Sequence, residues 1–111
     1  MSSRMETITI DLSPEVHPVL EGFEGATPDE KIARLLMGAI RQNLEACERE
    51  QLELEIRYGL EHEEFRRKLE VGELGDEFGF ELETDAMRWD DLAAEKSHWL
   101  KQLSLLKEHV G

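Results

Sequence analysis

"TPDEKIARLLMGAIRQNLEACEREQLELEIRYG", residues 27–59, sets the scale of the fold. It opens as a helix start, because the Thr27 hydroxyl can accept from the Glu30 amide while Glu30 reaches back, and Pro28 has no amide to lose at the first helical position. Ile32, Leu35, Leu36, Ala39, Ile40, Leu44 and Cys47 then recur at the helical period, and nothing interrupts until Tyr58-Gly59, where glycine can close a helix. Gly38 inside the run costs about 1 kcal/mol relative to alanine. Close approach of another helix would explain it, as would simple tolerance. About 31 residues rising about 1.5 Å each make a rod of about 46 Å. A compact chain of 111 residues has a radius of gyration of about 13 Å, so the rod does not fit inside one globule. The sequence predicts a break near residues 48–52 or packing against a second copy.

Upstream, "ETITIDL" (residues 6–12) alternates, with Ile8, Ile10 and Leu12 on one side and Thr7, Thr9 and Asp11 on the other. This predicts a short half-buried strand. Ser13-Pro14 then starts a short helix carrying Val16, Val19 and Leu20, which Pro18 keeps brief. Gly22 and Gly25 let the chain turn before Thr27.

Downstream, "LEHEEFRRKLEV" (residues 60–71) reads as a short helix with Phe65 and Leu69 one turn apart and Gly72 as its stop. Residues 73–83 carry too many glycines for a helix, and Phe78, Phe80 and Leu82 alternate, which predicts a strand or extended arm. Thr84 can cap a last helix through about His109. Its apolar stripe is Trp89, Leu92, Trp99, Leu103, Leu106 and Val110, interrupted by Lys96.

The chain has 13 Lys+Arg against 26 Asp+Glu, a formal charge of -13, with apolar residues at 40%. This is an acidic but foldable composition. The acid is concentrated in the middle: residues 1–44 hold 7 acidic and 4 basic groups, residues 45–83 hold 14 and 5, and residues 84–111 hold 5 and 4. Such a chain is poorly suited to DNA phosphates, whose binding rests on Lys and Arg displacing counterions, and better suited to a basic protein. A lone cysteine, Cys47, rules out an internal disulfide framework and fits a reducing compartment. No long apolar run predicts a membrane span, and the start lacks a signal-peptide hydrophobic segment, so the expected address is the cytoplasm.

No chemical signature stands out. His17, His62, His98 and His109 are scattered, and "HEEF" lacks the second imidazole of a helical zinc motif, so no metal or cofactor is expected. Glu61-x-x-Glu64 and Glu73-x-x-Asp76 are similar to the paired acidic motifs of helical nucleotide pyrophosphohydrolases. In those enzymes the pairs lie on facing helices, whereas here about a dozen residues separate them and Gly72 and Gly75 disrupt the second. A solvated acidic face is the simpler reading. "GELGDEFGF" has no lysine and too many carboxylates to cradle phosphate. The chain is expected not to be an enzyme.

Over residues 6–44, "TITIDLSPEV" followed by "TPDEKIARLLMGAIRQNL" resembles ribbon-helix-helix proteins, in which strands from two chains pair and their outer side chains can enter the DNA major groove. Residues 58–92, "YGLEHEEFRRKLEVGELGDEFGFELETDAMRWDDL", resemble the tail of small prokaryotic antitoxin-like proteins of type II toxin-antitoxin modules, with their Tyr-Gly, Glu-Glu-Phe, Gly-Glu-Leu-Gly-Asp and Trp-containing helix. The implied fold is mainly α with a short N-terminal β-strand: a ribbon-helix-helix-like start, a long central helix, a short helix, an extended arm and a C-terminal amphipathic helix.

The resemblance implies a dimerisation module at residues 1–58 and an acidic region at residues 59–111 that wraps a cognate protein toxin. Ile8, Ile10 and Leu12 would form the core face of a homodimer's strand, with Ile32, Leu36 and Ile40 contributing. Arg4, Thr7 and Thr9 would face DNA, although Asp11 beside them is unfavourable there. Phe65, Leu69, Phe78, Phe80, Trp89 and Trp99 would bind the partner, with packing inside the chain's own core as the rival role for each aromatic. The competing reading is a structural, self-assembling helical protein that has no toxin partner.

Overall fold

A computed structural model describes residues 6–75, 79 and 81–110. Its helices are α1 (Val16–Glu21), α2 (Pro28–Tyr58), α3 (His62–Glu70) and α4 (Glu81–Val110). The chain is mainly helical, and no strand forms among the described residues.

The start of α2 follows its local chemistry. The Thr27 hydroxyl accepts from the Glu30 amide at 3.1 Å, and the Glu30 carboxylate accepts from the Ala26 amide at 3.2 Å. Asp29 and Glu30 lie in the first turn, where negative charge complements the helix dipole. At the far end Gly59 takes the left-handed conformation (φ 68°) and its amide donates to the Glu55 carbonyl at 2.7 Å.

Between those ends α2 does not break. Residues 48–52 are Glu, Arg, Glu, Gln and Leu, all good helix formers, and α4 supports them from the side. The molecule instead gives up globular shape, with a radius of gyration of 20.2 Å and a longest dimension of 58 Å. The helices α2 and α4 form an antiparallel hairpin. Tyr58 near one end meets Asp85, and Asp29 near the other meets His109.

The seam between these helices has a seven-residue repeat. On α2 it runs Ala33, Met37, Ile40, Leu44, Cys47, Gln51, Leu54, Tyr58, and on α4 Leu82, Asp85, Trp89, Leu92, Lys96, Trp99, Leu103, Leu106, Val110, each position buried or half-buried. Alternating steps of three and four are the pattern of coiled-coil packing. Two apolar clusters result. One holds Cys47, Leu54, Phe65, Ala86, Trp89 and Leu92, the other Met37, Ile40, Leu44 and Leu103, and Trp99 packs against both. Lys96 stays on the seam by extending its amine to Glu48 at 3.2 Å. Both clusters draw side chains from either side of Tyr58-Gly59.

Short α3 covers the closed end of the hairpin. Phe65 is fully buried, with its ring centroid 4.8 Å from those of both Tyr58 and Trp89. Outside the rings, His62 and Arg66 both reach Asp90, at 2.8 and 3.5 Å. At the open end, Leu20 of α1 is buried, and the Lys31 amine donates to the Glu21 and Phe23 carbonyls.

Two expectations are corrected. Residues 6–12 form no strand: Ile8 is 85% exposed and Ile10 60%. Alternation supplies a strand's faces but not its hydrogen bonds, and among the described residues no strand is present to pair with this segment. Secondly, α4 begins at Glu81, ahead of Thr84. Glu81 and Glu83 favour its first turn, so Leu82 lies on the helix against the core cluster and not on an extended face. Phe78 and Phe80 lie outside the described residues, as does Arg4.

Candidate functional site

Among the described residues that closing the hairpin leaves exposed, two apolar surfaces bear on function, one neutral and one acidic. The neutral one arises because "IARLLMGAI" (residues 32–40) is apolar on more than one face and has Arg34 as its one charge. Helix α4 takes up Ala33, Met37 and Ile40. The bulkier Leu35 and Leu36 stay 41% and 50% exposed, and Ile32 is half-buried. Across from them on α4, Leu105 is 60% exposed. Between the helices lies a groove of about 510 Å³, with Leu36, Ala39 and Asn43 on one wall and His98, Gln102 and Leu105 on the other. No Asp, Glu, Lys or Arg lines it, in a chain whose residues are 35% charged.

The acidic surface is on the second half of α2, where Leu52 and Ile56, one turn apart, are 54% and 73% exposed. Glu48 and Glu53 are exposed around them and Glu55 is half-buried. Beyond the turn, Glu61, Glu63, Glu70 and Glu73 are also exposed. Arg49 is exposed there too and Lys96 pairs with Glu48 at 3.2 Å, so carboxylates outnumber the cations without excluding them, and apolar contact inside such a rim suits a partner that is basic at its own.

The polar groups between the helices serve to hold them together. Arg88 donates to both oxygens of Glu50, at 2.8 and 2.6 Å, and this bond holds the Glu50 carboxyl below its usual range and raises the Arg88 guanidinium. Burial pushes the Cys47 thiol up, and the Glu95 carboxylate 3.8 Å away adds to the shift, which disfavours the nucleophilic thiolate. Burial, then the hydrogen bond to Asp85, pushes the Tyr58 phenol up to about 12. Among the described residues no group of three His, Cys, Asp or Glu side chains is placed to hold a metal ion.

The expected site residues separate into distinct groups. Ile8, Ile10, Thr7 and Thr9 are exposed and Leu12 is half-buried. Leu36 is exposed and Ile32 half-buried, whereas Ile40 is buried by the protein's own α4. Phe65 and Trp89, at 0% and 1% exposure, occupy the core, so their side chains present no surface to a partner here. Leu69 and Trp99 are half-buried against that core.

Sequence reasoning passed over Leu105, Gln102 and Asn43. Leu105 stands off the Leu103/Leu106/Val110 stripe, which was the available signal for a second apolar face. Among the described residues no helix is long and apolar enough to cross a membrane. In comparisons with known proteins the chain matches no family model, no curated protein and no solved structure, which leaves its own geometry as the basis for a functional reading.

Proposed function

We propose that this chain is a non-enzymatic, antitoxin-like binding protein of the cytoplasm, which self-associates through its N-terminal half and holds a basic protein toxin with its acidic second half. The observation that carries the partner reading lies just ahead of that half, on the last turns of α2, where Leu52 and Ile56 are exposed among Glu48, Glu53 and Glu55. Two large aliphatic side chains left in water forgo the stabilisation that burial would bring to the free chain. A partner that covers them supplies that burial, and the surrounding carboxylates steer it by charge. Operator contact through Arg4, Thr7 and Thr9 stays outside the proposal, since the acid excess opposes phosphate binding.

Co-expression with the neighbouring reading frames, followed by pull-down, tests the reading. The expected result is one small basic protein that copurifies with the wild type, is lost with Leu52→Ser combined with Ile56→Ser, and elutes at raised salt. Phe78→Ala with Phe80→Ala is the companion variant for the neighbouring segment. Absence of any copurifying protein, or its retention by the Leu52/Ile56 variant, overturns the assignment. The alternative, a self-assembling helical protein without a toxin partner, is favoured by the neutral groove and is supported if the protein associates only with itself.

A further inference from the structure

We infer that the neutral groove between α2 and α4 is closed by a second copy of this chain, so that two hairpins pack as a four-helix bundle with Leu36 and Leu105 at its centre. This rests on the self-associating part of the proposed function and not on the toxin partner. Two observations show that the face is open to a partner, and a third selects the occupant.

The first is pattern. A helix that is apolar nearly all round is buried nearly all round, and residues 32–40 of α2, with Arg34 as their one charge, approach that description. The hairpin covers only one of their faces. The second is area. A folded chain of 12.8 kDa is expected to expose about 6,300 Å², whereas this one exposes 8580 Å². The excess of about 2,300 Å² belongs to the whole elongated chain, and it leaves room for the roughly 800 Å² that each partner contributes to a stable interface. Elongation and the exposed N-terminal segment account for part of it, and the open groove lies on the same elongated body.

The third observation selects a second copy over a foreign chain. A two-fold interface sets a patch against itself, so the patch must tolerate its own charge. Most of this surface is acidic and would repel its copy. The groove walls are uncharged aliphatics with Asn43, Gln102 and His98, whose amides and imidazole can both donate and accept hydrogen bonds. Depletion of charge at the centre of the patch is also what separates interface cores from ordinary surface.

Sedimentation equilibrium of the purified full chain tests the inference, with helical circular dichroism as the check on folding. Wild type is expected at twice the 12.8 kDa chain mass. Leu36→Glu with Leu105→Glu alters two side chains that are exposed in the single chain, so helicity should persist while association weakens at least about 100-fold through like-charge repulsion. Asn43→Arg with Gln102→Arg leaves the apolar core untouched and is expected to do the same. Leu52→Ser with Ile56→Ser should remain dimeric. A monomeric wild type, or a dimer that survives both groove variants with helicity intact, overturns the inference. If those variants stay dimeric while Ile8→Asp with Ile10→Asp is monomeric, pairing of N-terminal strands replaces the groove, and the proposed self-association stands. Copurification of a toxin is read separately and depends on neither result.

Discussion

The hydroxyl of Tyr58 donates to Asp85 at 2.6 Å, across the point where the last turn of α2 meets the opening turns of α4. Arg57 donates to the same carboxylate oxygen at 2.7 Å, and the Asp85 side chain is only 15% exposed. A seam position that would otherwise be apolar thus carries a carboxylate with two donors. Such a carboxylate is expensive to leave short of a partner. Tyr58→Phe keeps the ring contacts with Phe65 and Trp89 and removes one donor. It is expected to cost about 1–2 kcal/mol in urea unfolding.

The same contact has an alkaline signature. The Tyr58 phenol, ordinarily near 10, is raised to about 12 in the folded chain. The folded state therefore holds this proton more tightly than the unfolded state does. The contribution is fully present below about pH 10 and is lost as pH rises through the folded value. Ultraviolet titration of the lone tyrosine should show a midpoint near 12 in native protein and near 10 in denaturant. A native midpoint near 10 would show that the phenol is not held this way.

Gly38 carries a further prediction. A Cβ added there meets nothing within 4 Å, so no neighbouring helix requires a glycine, and simple tolerance is the explanation that fits. Gly38→Ala is expected to stabilise the chain by about 0.5–1 kcal/mol, because alanine loses less backbone entropy in a helix. The midpoint of thermal unfolding should rise without a change in oligomeric state. A destabilised variant would mean that something approaches Gly38 closely.

Phe65 and Leu36 should respond differently to truncation. Phe65 is fully buried between the rings of Tyr58 and Trp89, so Phe65→Ala is expected to cost about 3–5 kcal/mol by leaving a cavity. Leu36→Ala, half in water within the single chain, should cost that chain under about 1 kcal/mol, and its larger effect should appear in association. Denaturation at low and high protein concentration separates the two, because only association depends on concentration.

Acid should loosen the contact between Arg88 and Glu50. The Glu50 carboxyl is lowered in the folded chain by its hydrogen bonds from Arg88. Its contribution is present above its ordinary value near 4.5 and is lost as pH falls through the lowered folded value. Both side chains are close to half exposed, so the contact is worth under about 1 kcal/mol. Glu50→Gln should lose that much at neutral pH and differ less from wild type in acid. Denaturant midpoints measured from neutral pH to pH 3 give the check.

Helix boundaries were legible where backbone chemistry is local. Thr27 caps α2 and Gly59 ends it, as their residue types require. Pro18 goes with a helix of only six residues in α1. The start of α4 was harder to place, because Glu81 and Glu83 make as good a first turn as Thr84 makes a cap. The strand at residues 6–12 failed for a different reason. Alternation describes two faces, but a strand exists only once another strand takes up its backbone hydrogen bonds.

The two surfaces follow the same division between local and long-range causes. Excess acid in the middle of the chain, and more apolar residues on α2 than one face can hold, are properties of the residues alone. Which stripe of α2 meets α4 was decided by the tertiary structure. Neighbouring stripes on a helix differ by about 100° of rotation per residue, and Ile32/Leu36/Ala39 is as apolar as Ala33/Met37/Ile40. Only the partner helix breaks that tie, because its seam from Leu82 to Val110, with its seven-residue repeat, fits Ala33 through Tyr58 along the whole hairpin. That long-range match puts Phe65 and Trp89 inside and leaves Leu36 and Leu105 on the walls of an open groove.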